Sequence, residues 1–347
     1  VDVFVGETAE DFLGYGGVIL SYDGYTITMS SEGHDIPGKS AVGRARVFTY
    51  SSGTWSQKGT EIVGTTSGDD LGQGLDMSED GNHIVIGTRH QATSPYVKVY
   101  QWSGTAWSLK GSAITYSAAS DGFGEVVSIS NDGTVLAIGI PYADIADGAR
   151  VDGGGIVRVY HYESSAWVLK ATLTDVDATA DEFGSTAFLS GDGKRLIVGA
   201  SQEGANHGQI FTFEYTGGSW ILRQPYGTIG ATGSSSDDGF LGDGPTENAS
   251  SIALSRDGST IVGGEWGYNV SGAGSDSGRV RVFNMPSNIK SIWGSNDNEN
   301  WTKITTAPTR EEATSNVAGL AFGYDDRLEF KNLDNPNYYT VSYTHLR

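Results

Sequence analysis

The sequence predicts an all-β chain, a β-propeller of four-stranded antiparallel blades with about five blades visible. Three observations carry this: a repeat of about fifty to sixty residues, four short strand-like segments in each repeat, and 50 glycines in 347 residues, about twice the usual share of roughly 7%. A fixed long period dictates architecture before any single residue does. Five serine-x-aspartate-glycine turns mark it, SYDG ending at Gly24, SEDG at Gly81, SNDG at Gly133, SGDG at Gly193 and SRDG at Gly258, in steps of 57, 52, 60 and 65 residues.

Each element of the repeat has a physical reading. The first strand, such as 125–130, and the second, such as 134–139, flank the Asp-Gly turn, in which glycine supplies the positive φ that a tight hairpin needs. The third strand alternates apolar and polar residues, as in Val157, Arg158, Val159 and Tyr160, and the fourth starts at Trp55, Trp107, Trp167 or Trp220. Regular recurrence of the tryptophans points to packing between blades. An acidic cluster and a glycine precede each first strand: EDFLG to Gly14, DDLG to Gly72, DGFG to Gly124, DEFG to Gly184 and DDGFLG to Gly242. Connections between second and third strands, and from the fourth to the next first strand, are long and variable. Both classes fall on one face, where binding residues concentrate on propeller-like scaffolds.

These boundaries give a propeller over residues 1–285, with repeats at about 9–64, 65–116, 117–175, 176–230 and 231–285. Residues 1–8 match the end of a fourth strand, since VFVGETAEDFLG aligns with EIVGTTSGDDLG. They are therefore expected to close the ring, Asp2 to Gly6 pairing with Arg279 to Phe283. The competing expectation puts Trp301 to Ile304 in that place. Residues 286–347 break the repeat and form a partial β-rich segment.

The pattern acidic-x-F/L-G, then S-x-D-G, then I/V-G, then G-x-V-R-V-Y resembles the FG-GAP-type repeats of integrin-alpha-like propellers, over residues 1 to about 285. That resemblance implies an exported or virion-associated surface protein engaged in adhesion. It also implies calcium, which takes about six to eight oxygen ligands, whereas each turn here offers one carboxylate: Asp23, Asp80, Asp132, Asp192 or Asp257. No cofactor and no metal site are expected. The segments IWGSNDNENWTKI and LEFKNLDNPNYY resemble part of a discoidin-type jelly roll.

Composition narrows the function classes. A formal charge of −20 argues against nucleic-acid partners, which are held by neutralising phosphates with Lys and Arg. No apolar run reaches the roughly 18 residues of a membrane helix, so direct membrane insertion is not expected. The chain has no cysteine, which removes disulfides and thiol chemistry together. The serine-aspartate turns do not fit the sialidase Asp-box, and the six histidines show no metal spacing. The expectation is therefore a chain that is not an enzyme. It would be a binding or adhesion module located extracellularly, at a cell surface or on a virion, recognising a surface protein or glycan; the alternatives are a polysaccharide-processing propeller enzyme and a structural spacer in a larger surface protein.

Candidate binding residues follow from the repeat. Asp11, Asp69, Asp121 and Asp181 each lie three residues before the glycine of the acidic cluster, with Asp238 displaced by one in the fifth copy. First strands are innermost in a propeller, so these carboxylates are expected around the mouth of the central channel, held by a cation or basic partner, or else as loop caps. His34, His90, Asp144, Asp147 and His207 are the further candidates on the variable loops.

Overall fold

The computed structural model describes residues 2–88, 94–117, 121–144, 153–175, 182–201, 208–223, 228–230, 252–265, 279–285, 291–295, 302–304 and 319–323. Among them are 25 strands and no helix. Five antiparallel sheets follow one another in propeller arrangement within the unit Val1–Asn284. Blade one holds β1 (Leu13–Leu20), β2 (Thr26–Ser31), β3 (Arg44–Ser51) and β4 (Thr54–Gln57), with β5 (Ile62–Val63) also on β3. Blade two holds β6 (Gly74–Met77), β7 (His83–Gly87), β8 (Tyr96–Trp102) and β9 (Trp107–Leu109), with β10 (Ile114–Thr115) on β8. Blade three is β11 (Val126–Ile129), β12 (Val135–Ile140), β13 (Ile156–Glu163) and β14 (Ala166–Leu173). Blade four is β15 (Phe183–Leu189), β16 (Arg195–Ala200), β17 (Gln209–Thr216) and β18 (Ser219–Leu222), with β19 (Thr228–Gly230) on β17. Blade five has β20 (Ile252–Leu254), β21 (Thr260–Glu265) and β22 (Arg279–Asn284). In the second unit, Met285–Arg347, β23 (Ser291–Ser295) pairs with both β24 (Thr302–Ile304) and β25 (Gly319–Gly323).

The hairpin turns form through one device used five times. The serine hydroxyl donates to the aspartate two residues on, at 2.6 Å in Ser21–Asp23, Ser78–Asp80 and Ser255–Asp257, and at 2.7 Å in Ser130–Asp132 and Ser190–Asp192. The aspartate then accepts the amide two residues further along, as Asp132 does from Thr134 at 3.0 Å. Gly133 closes the turn at φ 65°, a region open to glycine and strained for other residues. These aspartates are turn formers.

The acidic-x-F/L-G motif is a wedge between blades. Leu71, Phe123 and Phe183 are completely buried, each leading its strand into the face of the preceding blade. The residue before each takes positive φ, Asp70 at 44°, Gly122 at 83° and Glu182 at 54°, which swings the apolar side chain inward. Glycine follows because the motif position takes positive φ, 104° at Gly124 and 96° at Gly184, and a Cβ on either would lie 2.7 Å from the carbonyl oxygen of Thr88 or Ile156 respectively. Across the seam glycine is required too, since a Cβ on Gly87 would lie 2.1 Å from the carbonyl oxygen of Gly124 and one on Gly139 2.1 Å from that of Gly184. Around these wedges the apolar faces interleave. Val85, Val97 and Val99 of blade two pack with Leu136, Ile138 and Tyr160 of blade three. Val157 and Val159 of blade three pack with Val198, Phe211 and Phe213 of blade four.

The tryptophans tie blades together at the rim. Trp107 donates its indole N–H to the Lys58 carbonyl at 2.7 Å, and Trp167 to that of Lys110 at 2.8 Å. The two ammonium groups lie over aromatic rings of the next blade, 5.4 Å from Trp102 and 4.9 Å from Tyr162.

Trp301 lies outside the described residues, and no pairing of Asp2 to Gly6 with Arg279 to Phe283 occurs among the described strands. The partner of β22 is β21, that of β24 is β23, and residues 2–6 carry no strand. Phe4 instead packs on blade one, its ring 4.7 Å from Phe48 and 6.1 Å from Trp55, an apolar contact that holds the segment there.

Ser130 is fully buried and accepts the amides of Thr134 and Val135 at 3.2 and 2.9 Å. Ser130→Ala leaves those amides without the hydroxyl, so urea denaturation should show a loss of about 1–3 kcal/mol. Ser255→Ala, at a more exposed turn in blade five, should cost less.

Candidate functional site

The described repeated acids lie in the segments that lead into the first strand of each blade, Asp11 before β1, Asp69 before β6 and Asp121 before β11. Asp11 is buried and accepts the amides of Glu7 and Thr8 at 2.6 and 3.1 Å and the Thr8 hydroxyl at 2.9 Å. His34 Nδ1 lies 3.3 Å away, and Arg44 Nη2, itself 1% exposed, donates to it at 3.3 Å. Burial alone would raise the Asp11 carboxyl, but these donors outweigh it and hold it at about 2. Arg44 also pairs with Glu7 at 2.8 Å and Glu61 at 3.0 Å. Of the loop candidates, His34 is therefore part of the Asp11 cluster.

Asp69 does the same work in blade two. It accepts Thr65 and Thr66 amides at 3.3 and 3.0 Å and the Tyr96 hydroxyl at 3.0 Å. Burial, and then the Asp69 charge, push the Tyr96 hydroxyl upward. Both carboxylates are taken up as caps of the loop that enters the blade.

Asp121 stands apart. Its carboxyl is raised, first by burial and further by the charge of Asp144, while a hydrogen bond from the Tyr116 hydroxyl opposes the rise. The Tyr116 ring is stacked 5.1 Å from buried Phe123 and carries the Arg158 guanidinium 4.8 Å above it. The Asp121 carbonyl accepts the Tyr142 amide at 3.0 Å, so the loop after β12 is pinned to the loop before β11. The Tyr142 hydroxyl is pushed up by burial and then by the charges of Glu125 and Glu182. Glu182 in turn accepts the Ser201 hydroxyl at 2.6 Å. The arrangement is thus a set of carboxylates and phenols on blades three and four, in which the Asp121 carboxyl is raised. Asp181, Asp238, His90, Asp147 and His207 lie outside the described residues.

A further acid was missed by the sequence reasoning. First strands neighbour one another from blade to blade, β1 beside β6, β6 beside β11 and β11 beside β15. Each is a sheet edge with amides its own blade cannot satisfy. Asp76 on β6 accepts the Ile129 amide of β11 at 2.8 Å, and Ser128 on β11 accepts the Leu189 amide of β15 at 3.1 Å. The equivalent residue of blade one is Ile19, which accepts nothing, and Asp76 takes its own neighbour Met77 with the other oxygen at 2.8 Å. Burial pushes this carboxylate up to about 6, against the lowering effect of the Ile129 and Met77 amides. A single acid in the apolar run GLDM was the available signal.

The opposite face is closed by the second residues of the hairpin turns. Asn131 donates its amide to Gly191 at 2.8 Å, and Gly191 to Arg256 at 2.6 Å. Arg256 Nη1 reaches back to Asn131 Oδ1 at 2.7 Å, and the Asn131 side chain meets Glu79. Among the described residues no group of three His, Asp or Glu side chains is placed to hold a metal.

No family model and no curated protein sequence matches the chain. Solved structures do. The "putative 6-phosphogluconolactonase from Bacteroides uniformis" is 12% identical with a TM-score of 0.46, over 88% of this chain and 71% of that one. The Pseudomonas aeruginosa periplasmic gluconolactonase PpgL is 18% identical with a TM-score of 0.43, over 71% and 63%. The "putative TolB from Agrobacterium tumefaciens" is 13% identical with a TM-score of 0.42, over 84% and 80%. At these identities the likeness concerns the fold. The expectation that the chain is not an enzyme is corrected to this extent: two of these structures are named as lactonases.

Asp76 makes stability pH-dependent with a definite sign. Its folded-state pKa is raised from 3.8 to about 6, so the stability it lends is full below about pH 4 and lost as pH rises through about 6. Asp76→Asn should flatten the denaturation midpoint between pH 4 and 7. A midpoint that still falls over that range would place the titrating group elsewhere.

Proposed function

We propose that the loop face of blades three and four is a site for a hydroxyl-rich ligand of polysaccharide type, and that Asp121 serves there as a proton donor. The observation that carries this is the contrast within one repeated position. The Asp11 carboxyl is held low, whereas that of Asp121 is raised by burial and by the Asp144 charge beside it. Paired carboxyl groups whose environments push them apart are how one site supplies an acid and a base together. Asp144 is the neighbouring acid whose charge raises Asp121, and Tyr116, Tyr142 and Ser201 supply hydroxyls that suit sugar oxygens.

The test is a hydrolysis screen over polysaccharides and sugar lactones with wild type, Asp121→Asn and Asp144→Asn. Asp121→Asn should lose about 10²–10⁴-fold in turnover, the usual worth of a general acid. Asp144→Asn should move the basic limb of the pH profile to lower pH, because removing the neighbouring charge lets Asp121 ionise earlier. Turnover unchanged by Asp121→Asn would overturn the assignment.

The repeat pattern favours a second reading: recognition of a glycan or protein on a cell or particle surface, by an exported or virion-associated protein of the FG-GAP kind. Its support is the resemblance of the repeat and the spread of variable loops on one face. A glycan array separates the readings. Saturable binding that survives Asp121→Asn, with no turnover by the wild type on the same glycans, supports recognition over hydrolysis.

A further inference from the structure

One basic residue recurs on the third strand of the first three blades, and its surroundings differ in each. Arg46 stands opposite Met29, Lys98 opposite Ile86 and Arg158 opposite Ile138, so the three hold one position of the repeat. Arg46 Nη1 donates to the Glu7 carboxylate at 3.0 Å, and its Nη2 to the Val5 carbonyl at 3.1 Å. Lys98 lies 4.2 Å over the Tyr96 ring, where the Asp69 charge acts on it. Arg158 has its guanidinium 4.8 Å over the Tyr116 ring, and among the described residues no carboxylate pairs with it.

Blade one shows what this position accepts. Glu7 stands four residues before Asp11, and the equivalent places before Asp69 and Asp121 hold the uncharged Thr65 and Ser117. The Glu7 side chain is 54% exposed even while it binds Arg46, so a carboxylate can meet this guanidinium from solvent. Nε is buried without an acceptor in Arg46 and Arg158 alike, which leaves the Nη groups as the donors in both. What blade three lacks is the carboxylate. An arginine laid on an aromatic face presents a planar fork of donors, and a carboxylate matches that fork with parallel hydrogen bonds. The same Tyr116 gives its hydroxyl to Asp121, so guanidinium and acid are one phenol ring apart.

We infer that the polysaccharide taken by this site is a polyuronide, with Arg158 binding a sugar carboxylate beside Asp121. This rests on the reading of the face as a polysaccharide site and adds which sugars it selects. A neutral sugar leaves the guanidinium without a counter-charge, whereas a uronate supplies one as Glu7 does in blade one. The net charge of −20 opposes a polyanion at long range, but exposed charges are screened beyond about 8 Å at physiological salt. Selection is therefore set by the local contact.

The test is isothermal titration at physiological salt with oligogalacturonate and oligomannuronate, each beside the same oligomer after reduction of its carboxyl groups to primary alcohols. Wild type should bind one acid form about 10–100-fold more tightly than its reduced form, the range of a charge-assisted hydrogen-bonded pair. Arg158→Gln should bring that ratio close to one. Arg158→Lys keeps the charge without the fork and should give an intermediate ratio; it decides the matter if circular dichroism shows the glutamine variant unfolded. A purely structural role would weaken both forms alike, so a wild-type ratio in the folded variants overturns the assignment of Arg158. Reduced oligomers bound as tightly as the acid forms overturn the polyuronide and leave hydrolysis of neutral polysaccharides standing. Acid-selective binding that depends on Arg158, in a chain without turnover in the hydrolysis screen, supports this inference and removes Asp121 as proton donor. Absence of binding to every oligomer overturns the inference.

Discussion

Each blade of this protein is a thin sheet that must bury both faces, and nearly everything else in the structure answers that requirement. A sheet with two covered faces reads as a continuous apolar run, in place of the alternation seen when one side meets water. This is why VLAIGI in β12 is buried at all six positions. It is also why the approach of neighbouring backbones decides residue identity at Gly87 and Gly139, where no side chain can be accommodated. Leucine or phenylalanine before the motif glycine fills the space beside that contact. The tryptophan and lysine pairs at the rim complete the seam with one hydrogen bond and one cation over a ring.

Polar groups are fitted around the same seams. Inner strands end as unpaired edges, and side chains of the preceding blade take their amides, with Asp76 and Ser128 filling equivalent places. An acid is the costlier choice, since burial drives its carboxyl toward the neutral form. It is tolerated because Ile19 leaves the Met77 amide unserved and a carboxylate has two oxygens to give. On the loop face the same repeat position has diverged: Asp11 and Asp69 are locked into their loops by amides, whereas Asp121 is left with a phenol and a like charge. The position that holds the Asp11 carboxyl low thereby holds that of Asp121 high.

The extent to which this was legible follows from distance along the chain. The Ser-x-Asp-Gly device closes within five residues and could be read directly, as could the four-strand repeat and the role of the tryptophans. The F/L-G dipeptide was visible as a pattern, but its reason lies in contact with a different blade. Asp76 gave little sign because its partner, Ile129, is 53 residues away. The repeat alignment identified what residues 1–8 are, while the contact of Phe4 with Phe48 and Trp55 could not be read from it. The non-enzymatic expectation rested on missing motifs, and carboxylates drawn from separate loops carry no fixed spacing to find.

One consequence of the repeated wedge reaches beyond any single molecule. Because Leu71, Phe123 and Phe183 join successive blades through the same contact, removing or duplicating one whole period leaves a seam of unchanged chemistry, whereas a partial period destroys two. Length variation in such a gene is therefore filtered into whole blades. Nearest-neighbour coupling of this kind gives stability that grows by increments, one blade and one seam at a time. A lineage can widen or narrow the disc by unequal recombination without redesigning its core, since each gained blade arrives with its own seam residues.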